Sequence, residues 1–391
     1  MATISKKVLF IDTPFAIEEG LRAKRSRFLW DIVSRNFDAD LLLLKSDIYR
    51  EKPISSHSGY DKLYSLSLKS ENKLEPIIYH HLGKGQAGRF AHILDSKRYE
   101  IIFFGGLACL PLLKIANRVL PNCEMIIDVE KVYISDLKEK WESNRELNNI
   151  SYLWEYIQQY IWDKYLINKK PNCLYANPGD LDLLCNFYKI NKSNSHFVPL
   201  PITDLRFSES TEKDKRYIIF WGSPENKDNL TVAKNIVSEI YPRISKKLVE
   251  KNIGIILCGE EKMQEFCSGR ISYAPYDDLD NILEQALFII LPLEKPDTEG
   301  RILSCAAHHK ALVCTKIAIQ NFPVEENCYL QGDCFTEVSD KILELLRGIN
   351  KLNEYSDNFF NACWSNFQAA EIERNLLERI NTWIKKDVTT Q

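Results

Sequence analysis

Short apolar runs alternate along the whole chain with segments whose apolar residues recur every three or four positions. The short runs predict buried β-strands and the longer segments predict helices, a combination typical of α/β proteins with parallel sheets. The predicted strands of the first half are Val8–Ile11, Asp40–Leu44, Ile101–Phe104, Met125–Asp128 and Leu174–Ala176. Those of the second half are Tyr217–Trp221, Ile253–Cys258, Phe288–Pro292 and Ala311–Thr315.

Two other segments indicate how the chain is divided. Pro199–Lys215 is polar and charged, which is typical of a linker, and Glu354–Lys386 carries one long helical pattern. A chain of 391 residues is expected to divide, because single cores stop growing near roughly 250–300 residues. We therefore predict an N-terminal Rossmann-like domain (1–205), a C-terminal one (206–355) and a terminal helix (356–391) that packs back towards the N-terminal domain.

The charge balance excludes a general binder of polyanions, so no nucleic-acid partner is expected. The net charge is −3, with 45% apolar and 27% charged residues. The charge is uneven: residues 1–205 hold 28 Lys+Arg against 25 Asp+Glu, which leaves 23 against 29 for the rest. An N-terminal half with this excess would suit an anionic acceptor or the surface of a membrane.

The cysteines and the N-terminus predict a reduced, cytoplasmic protein. The 11 cysteines form no C-x-x-C pair and no Cys/His cluster at zinc spacing, so no metal site is expected. The apolar run before Asp12 is too short for a signal-peptide core or a membrane span. Association with the inner face of a membrane is left open. The aromatic segment Ser151–Ile167 is interpreted as a packing helix, with a membrane-interface helix as its alternative.

In a doubly wound sheet, ligands bind where loops leave the carboxyl ends of the strands. The loop after Tyr217–Trp221 begins with Gly222 and Ser223, whose small size lets the backbone approach a ligand. Lys227 in the same loop is a candidate for meeting a phosphate. A plain loop with Asn229 as a helix N-cap is the alternative.

The loop after Phe288–Pro292 is the most informative segment. Thr298, Glu299, Gly300 and Arg301 stand where a helix is predicted to begin, and a helix N-terminus offers unpaired N–H groups and a positive dipole to an anion. Arg301 adds a bidentate phosphate donor. The alternative is that Thr298 and Glu299 only cap the helix. A weaker signal is the extended run Ser272–Tyr276, whose backbone could bind a base edge while Tyr273 or Tyr276 packs on it.

The ordered series WGS, IGIILCG (ending at Gly259), ISYAPYDDLDNILEQALFIILPL and TEGRILSCAAHHKALVCT resembles the C-terminal domain of retaining GT-B glycosyltransferases of the glycogen-synthase-like family 4 group. The first half resembles the same group more faintly, through IIFFGG, MIIDVEK and LYANPGDLDLL. The resemblance implies two Rossmann-like domains that face each other across a cleft, with a C-terminal helix closing the structure.

The resemblance further implies transfer of a sugar from a nucleotide diphosphate donor to a glycan, lipid or protein acceptor, with retention. The donor is a co-substrate, and neither cofactor nor metal is expected. The implied donor-binding residues are Gly222, Ser223, Lys227, Gly259, Tyr276, Thr298, Glu299, Gly300, Arg301 and Ser304. The candidates on the acceptor side are Gly20, Arg22, Gly105, Gly106, Asp128 and Glu130, and Lys24, Arg25 and Arg27 extend the basic cluster at Arg22.

The chain also departs from the family pattern. Aligned on ILSCAA, Ser304 and Pro296 stand where the family often has two glutamates, and the later glutamate holds the ribose. The family's first-domain histidine is absent, with Gly105, Gly106 or Glu130 at the places where it would stand. The catalytic residues are therefore unassigned. A GT-B scaffold without activity that serves as a binding or partner subunit is the alternative function, and an epimerase is disfavoured because no acid/base pair is evident.

Overall fold

The computed structural model describes residues 6–13, 21–45, 63–67, 82–129, 132, 138, 150–167, 171–202, 216–222, 228–296, 299–320 and 322–389. The chain packs as two units, Met1–Leu200 with Glu373–Gln391 (unit 1) and Pro201–Ile372 (unit 2). The predicted domain boundary between residues 205 and 206 lies outside the described residues.

Unit 1 is built on a sheet of seven strands, all parallel. The strands are β1 (Lys7–Asp12), β2 (Asp38–Lys45), β3 (Leu63–Ser67), β4 (Ile101–Gly105), β5 (Glu124–Val129), β6 (Asn172–Tyr175) and β7 (Ser195–Phe197). Their order across the sheet is β3-β2-β1-β4-β5-β6-β7. The helices are α1 (Leu21–Asn36), α2 (Lys84–Lys97), α3 (Leu110–Val119), α4 (Ile150–Ile167) and α5 (Pro178–Tyr188).

Unit 2 contains a sheet of six parallel strands. The strands are β8 (Tyr217–Trp221), β9 (Gly254–Gly259), β10 (Ile271–Pro275), β11 (Ala286–Leu291), β12 (Ala311–Thr315) and β13 (Leu330–Gly332). Their order is β10-β9-β8-β11-β12-β13. The helices are α6 (Asp228–Asn235), α7 (Tyr241–Lys251), α8 (Leu279–Glu284), α9 (Glu299–Ala307), α10 (Phe335–Arg347), α11 (Leu352–Phe367) and α12 (Ala369–Thr389), the last of which continues into unit 1.

In unit 2, the apolar residues Val232, Ile236, Ile240 and Ile244 recur every four positions and form the buried face of a helix. Val232 is 6% exposed, and the three isoleucines are fully buried. The helix carries a π-helical turn, Ile236–Ile240, between α6 and α7, directly before the proline in the first turn of α7. Because proline has no N–H to donate, a local change of hydrogen-bond pattern lets the helix continue past it.

In both sheets the strand order reverses at the first strand, which has a neighbour from each direction. In unit 1, β1 lies between β2 and β4, and in unit 2, β8 lies between β9 and β11. The crevice at the carboxyl ends of such strands is the binding place of doubly wound sheets. We call the two places the unit 1 switch point (the ends of β1 and β4) and the unit 2 switch point (the ends of β8 and β11).

The single terminal helix predicted over Glu354–Lys386 is wrong in one respect, because the segment forms two helices, α11 and α12. Gln368 separates them in an extended conformation, with φ −65° and ψ 132°. Phe367 at the end of α11 stacks on Phe322 of unit 2, with ring centroids 5.0 Å apart. From Glu373 onward α12 belongs to unit 1, where Arg379 donates to the carbonyl oxygen of Ser195 at 3.3 Å.

The helix α4 leaves three apolar side chains in solvent. Trp154 is 58% exposed, Ile157 38% and Ile161 59%, whereas Gln159 is buried. Within the described part of the chain, no helix combines the length and the apolar character needed to cross a membrane.

Candidate functional site

Gly222 leads from β8 into the unit 2 switch point. Its N–H donates to the carbonyl oxygen of Cys258 at 3.0 Å, which keeps the backbone against the neighbouring strand. The side chain of Asn229 lies directly over it, so that a Cβ at position 222 would stand 2.1 Å from Asn229 Cγ. Only glycine fits at this point. Asn229 lies within α6 and is 2% exposed, so the predicted N-cap role for this residue is wrong.

Arg301 connects the helix that follows β11 to the end of β8. Its Nη1 donates to the carbonyl oxygen of Trp221 and to Oδ1 of Asn229, both at 3.2 Å. The side chain therefore crosses from the first turn of α9 to the adjacent strand and fixes a positive charge at the switch point. A guanidinium beside a helix N-terminus is a suitable environment for a phosphate group.

Ser304 stands one turn further along α9. Its hydroxyl donates to the carbonyl oxygen of Gly300 at 2.8 Å, so its proton is used inside the helix. Serine and threonine hydroxyls in helices often donate to the carbonyl oxygen four residues earlier, and Ser304 does the same. The predicted contact of Ser304 with a ribose stays a prediction.

The neighbouring strands form one wall of the same crevice. Gly259 at the end of β9 has φ +152°, and a Cβ there would lie 2.5 Å from the carbonyl oxygen of Gly222. Tyr273 donates its hydroxyl to the carbonyl oxygen of Gly259 at 3.2 Å. Burial, with the charge of Asp278 adding to it, raises the pKa of the Cys258 thiol to about 12. Because the thiolate is the reactive form, Cys258 is not a nucleophile at neutral pH.

The structure does not describe the side chains of four residues that were predicted to bind the donor. Ser223, Lys227 and Thr298 lie outside the described residues, and of Glu299 only the backbone is described, at the start of α9. Tyr276 follows β10 and is 38% exposed. The two loops that flank the crevice are joined at the surface by Lys295 and Asp228, whose Nζ and Oδ2 are 3.7 Å apart.

The unit 1 switch point carries a carboxylate. Asp12 at the end of β1 is fully buried, and its Oδ1 accepts the backbone N–H of Thr13 at 2.7 Å. A Cβ on Gly105, at the end of β4, would lie 2.3 Å from Asp12 Cγ. Gly106 has φ +94°, a conformation that side chains disfavour. Gly105 thus makes room for Asp12, whose position beside it was not predicted.

Asp128 at the carboxyl end of β5 forms a buried ion pair with Arg25 of α1. Arg25 Nε donates to Oδ1 at 3.0 Å and to Oδ2 at 2.9 Å, and Nη2 donates to Oδ1 at 2.6 Å. Arg25 Nη1 donates to the carbonyl oxygen of Val198. The relative exposures of the two side chains are 3% and 7%. Asp128 is therefore a strand-end carboxylate whose partner lies within the protein.

No contact among the described residues joins the other residues that were predicted for the acceptor side. Gly20 and Glu130 lie outside the described residues, and only the backbone of Arg22 is described. Lys24 and Arg27 of α1 are exposed. Among the residues that the structure describes, no group of three or more His, Cys, Asp or Glu side chains is arranged to hold a metal ion.

No protein-family model matches the chain, and no curated protein matches it in sequence. Solved structures do match. The chain is similar to sucrose-phosphate synthase from Thermosynechococcus elongatus, with a TM-score of 0.66 and 11% identity over 97% of this chain and 100% of that chain. It is similar to Anabaena HepE in complex with UDP and glucose, with a TM-score of 0.60 and 12% identity over 96% and 100%.

A glycosyltransferase from Rickettsia africae is a third similar structure, with a TM-score of 0.62 and 11% identity over 99% of this chain and 100% of that chain. Similarity of this extent at such low identity establishes a fold and leaves activity to be argued from the site. Together with the two parallel sheets, each with its own switch point, it shows that the chain has the GT-B fold.

Proposed function

We propose that the protein is a glycosyltransferase that moves a sugar from a nucleotide diphosphate donor to a glycan, lipid or protein acceptor. The donor diphosphate binds at the unit 2 switch point, and the reaction proceeds with retention and without a metal ion. The observation that carries the proposal is the position of Arg301, whose guanidinium is fixed between the end of β8 and the first turn of α9.

The chemistry of the donor explains why this position matters. When the sugar leaves, negative charge develops on the diphosphate, and groups already placed to stabilise that charge lower the barrier. Arg301 and the N-terminal amides of α9 are such groups, and Lys227 would add a second cation. A nucleotide diphosphate therefore finds positive charge without rearrangement of the sheet.

The acceptor belongs to the unit 1 switch point in this proposal. Ligands of doubly wound sheets bind at the carboxyl ends of such strands, and Asp12, buried there beside Gly105, makes the ends of β1 and β4 polar.

Donor binding tests the proposal directly. Thermal shift with UDP-, GDP-, ADP- and dTDP-sugars identifies the donor, because a ligand that binds only the folded protein raises the apparent Tm. Arg301→Ala is expected to weaken that donor by roughly 10- to 100-fold, since a hydrogen bond to a charged group contributes about 1.5–3 kcal/mol. Arg243→Ala, an exposed arginine of α7, is the matched control and is expected to bind as the unchanged protein does.

Two results would contradict the proposal. One is the absence of any shift with all four classes of donor at millimolar concentration. The other is a donor that binds equally well to Arg301→Ala and to the unchanged protein, which would place its diphosphate elsewhere.

The inactive scaffold remains the second candidate, and one observation favours it. The Ser304 hydroxyl that stands in place of a ribose-binding glutamate donates its proton to Gly300. A scaffold of this kind would bind a nucleotide sugar, or a partner protein, without releasing nucleoside diphosphate. Release of nucleoside diphosphate from the donor identified by thermal shift, abolished in Arg301→Ala, would exclude it.

A further inference from the structure

A groove of about 870 Å³ lies in unit 2. One wall is the chain segment 322–328, which lies between β12 and β13, and the other wall is α11. The volume falls within the range of roughly 300–1,000 Å³ that small-molecule sites occupy. None of the described residues that we placed at the switch point lines this groove.

The wall formed by α11 is rich in carboxamides. Asn358, Asn361, Ser365 and Asn366 all line the groove, and their spacing of three, four and one puts them on one face of the helix. The opposite face of α11 is apolar and buried, with Phe359, Cys363 and Phe367 at 0% exposure. The core therefore fixes the rotation of the helix, and that rotation directs the polar face into the groove.

The facing wall adds an amide and a carboxylate to half-buried apolar groups. Asn327 and Glu325 line the groove beside Val324 and Phe322. Asn366 joins the two walls, since its Nδ2 donates to the carbonyl oxygen of Pro323 at 3.2 Å and to that of Ala362 at 2.9 Å. The walls are thus held together before any ligand arrives, which reduces the ordering cost of binding.

The chemistry of the lining selects a class of ligand. A carboxamide donates and accepts hydrogen bonds in one plane, and a sugar hydroxyl also does both. The described residues that line the groove include no lysine or arginine, and Glu325 disfavours anions. A phosphorylated or sulfated ligand is therefore a poor match, whereas a neutral ligand with adjacent hydroxyls is a good one.

We propose that this asparagine-lined groove is a binding site for a neutral oligosaccharide, separate from the donor site. The proposal rests on the groove alone and does not require sugar transfer. If the transferase proposal also holds, the site would hold a glycan chain on the same unit as the donor.

The test is calorimetric titration of the full chain with three neutral probes: maltohexaose, cellohexaose and chitohexaose. The variant Asn358→Ala/Asn361→Ala removes two carboxamides from exposed helix positions, where alanine favours the helix. At least one probe is expected to bind the unchanged protein, and the double variant is expected to weaken it about tenfold or more, since each lost hydrogen bond weakens binding several-fold. Asn353→Ala, on the same helix but outside the groove, is expected to bind normally.

The proposal is overturned if none of the three probes binds at about 10 mM, a concentration that would reveal even weak affinity. It is also overturned if the double variant binds as tightly as the unchanged protein, or if Asn353→Ala is weakened as much. Stronger binding of a sulfated hexasaccharide than of the neutral probes would contradict the ligand class. The Tm of the double variant, and its shift with the nucleotide donor, distinguish a lost groove from a lost fold.

Discussion

The two switch points have the same topology and different polar groups. In both sheets the first strand lies between the second and the fourth, and in both a glycine lies under a polar side chain, Gly222 under Asn229 and Gly105 under Asp12. In unit 2 the polar side chain accepts from the cation Arg301, whereas in unit 1 it is a buried carboxyl group. Topology thus determines where a ligand binds, and the side chains at that place determine which ligand it is.

The comparison extends to two arginines, and the largest expected effect comes from the one in unit 1. Arg25 is buried with Asp128, so Arg25→Ala would leave a buried carboxylate without its cation. We expect the free energy of unfolding of unit 1 to fall by about 3–5 kcal/mol. The measurement is denaturant unfolding, in which the two units can give separate transitions.

The control for this prediction lies on the same helix. Arg35 of α1 forms an ion pair with Glu373 at 3.0 Å, but its side chain is 61% exposed. Arg35→Ala is therefore expected to cost less than about 1 kcal/mol. Equal losses in Arg25→Ala and Arg35→Ala would show that the Arg25–Asp128 pair does not support unit 1.

The glycine of unit 1 gives the next largest effect. Gly105→Ala puts a methyl group 2.3 Å from Asp12 Cγ, and overpacking of this kind typically costs about 1–3 kcal/mol. Asp12→Ala in the same chain is expected to restore part of the loss, because it removes the clashing carboxylate. Gly88→Ala in α2, where a Cβ meets nothing within 4 Å, is the control and is expected to stabilise the helix. Additive losses in the double variant would contradict the clash.

The glycine of unit 2 is expected to affect binding as well as stability. Gly222→Ala would displace Asn229, whose Cγ lies 2.1 Å from the new Cβ, and Asn229 is a partner of Arg301. Donor affinity is expected to fall by about tenfold, the equivalent of about 1.4 kcal/mol. Gly348→Ala, whose Cβ would have its nearest neighbour at 3.7 Å, is the control. Unchanged donor affinity in Gly222→Ala would show that Arg301, held by Asn229, does not contribute to donor binding.

The sequence predicts the sheets well where strands are continuous apolar runs. The bounds predicted for Tyr217–Trp221 and Ala311–Thr315 match β8 and β12. The strands β3, β7 and β13 were not predicted. β7 and β13 have three residues each, too few to carry a periodicity. The break at Gln368 was not predicted either, since no proline or glycine marks it. The break lies a few residues before Glu373, from which α12 belongs to unit 1.

The candidate site is predictable only as far as local patterns extend. The helix N-terminus with Arg301 follows a buried strand and could be identified from the sequence. Its contact with the end of β8 depends on strand order, which local periodicity does not encode. The Arg25–Asp128 pair joins residues 103 positions apart, and Asp12 meets Gly105 only because β1 and β4 are neighbours. A buried strand that ends in Asp12 was the one available signal.

The smallest expected effect concerns Ser304, and it tests whether the unit 2 site can contact a ribose. Its hydroxyl donates to Gly300 within α9, and alanine is the better helix former, so Ser304→Ala should change stability by less than about 0.5 kcal/mol. If the hydroxyl stays in that bond when the donor binds, affinity should change by less than about twofold, well under the 1.4 kcal/mol of a tenfold change. Titration of the donor identified by thermal shift measures this. A loss of tenfold would mean that the hydroxyl leaves Gly300 to contact the ligand. The unit 2 switch point would then retain a ribose contact besides its phosphate contact.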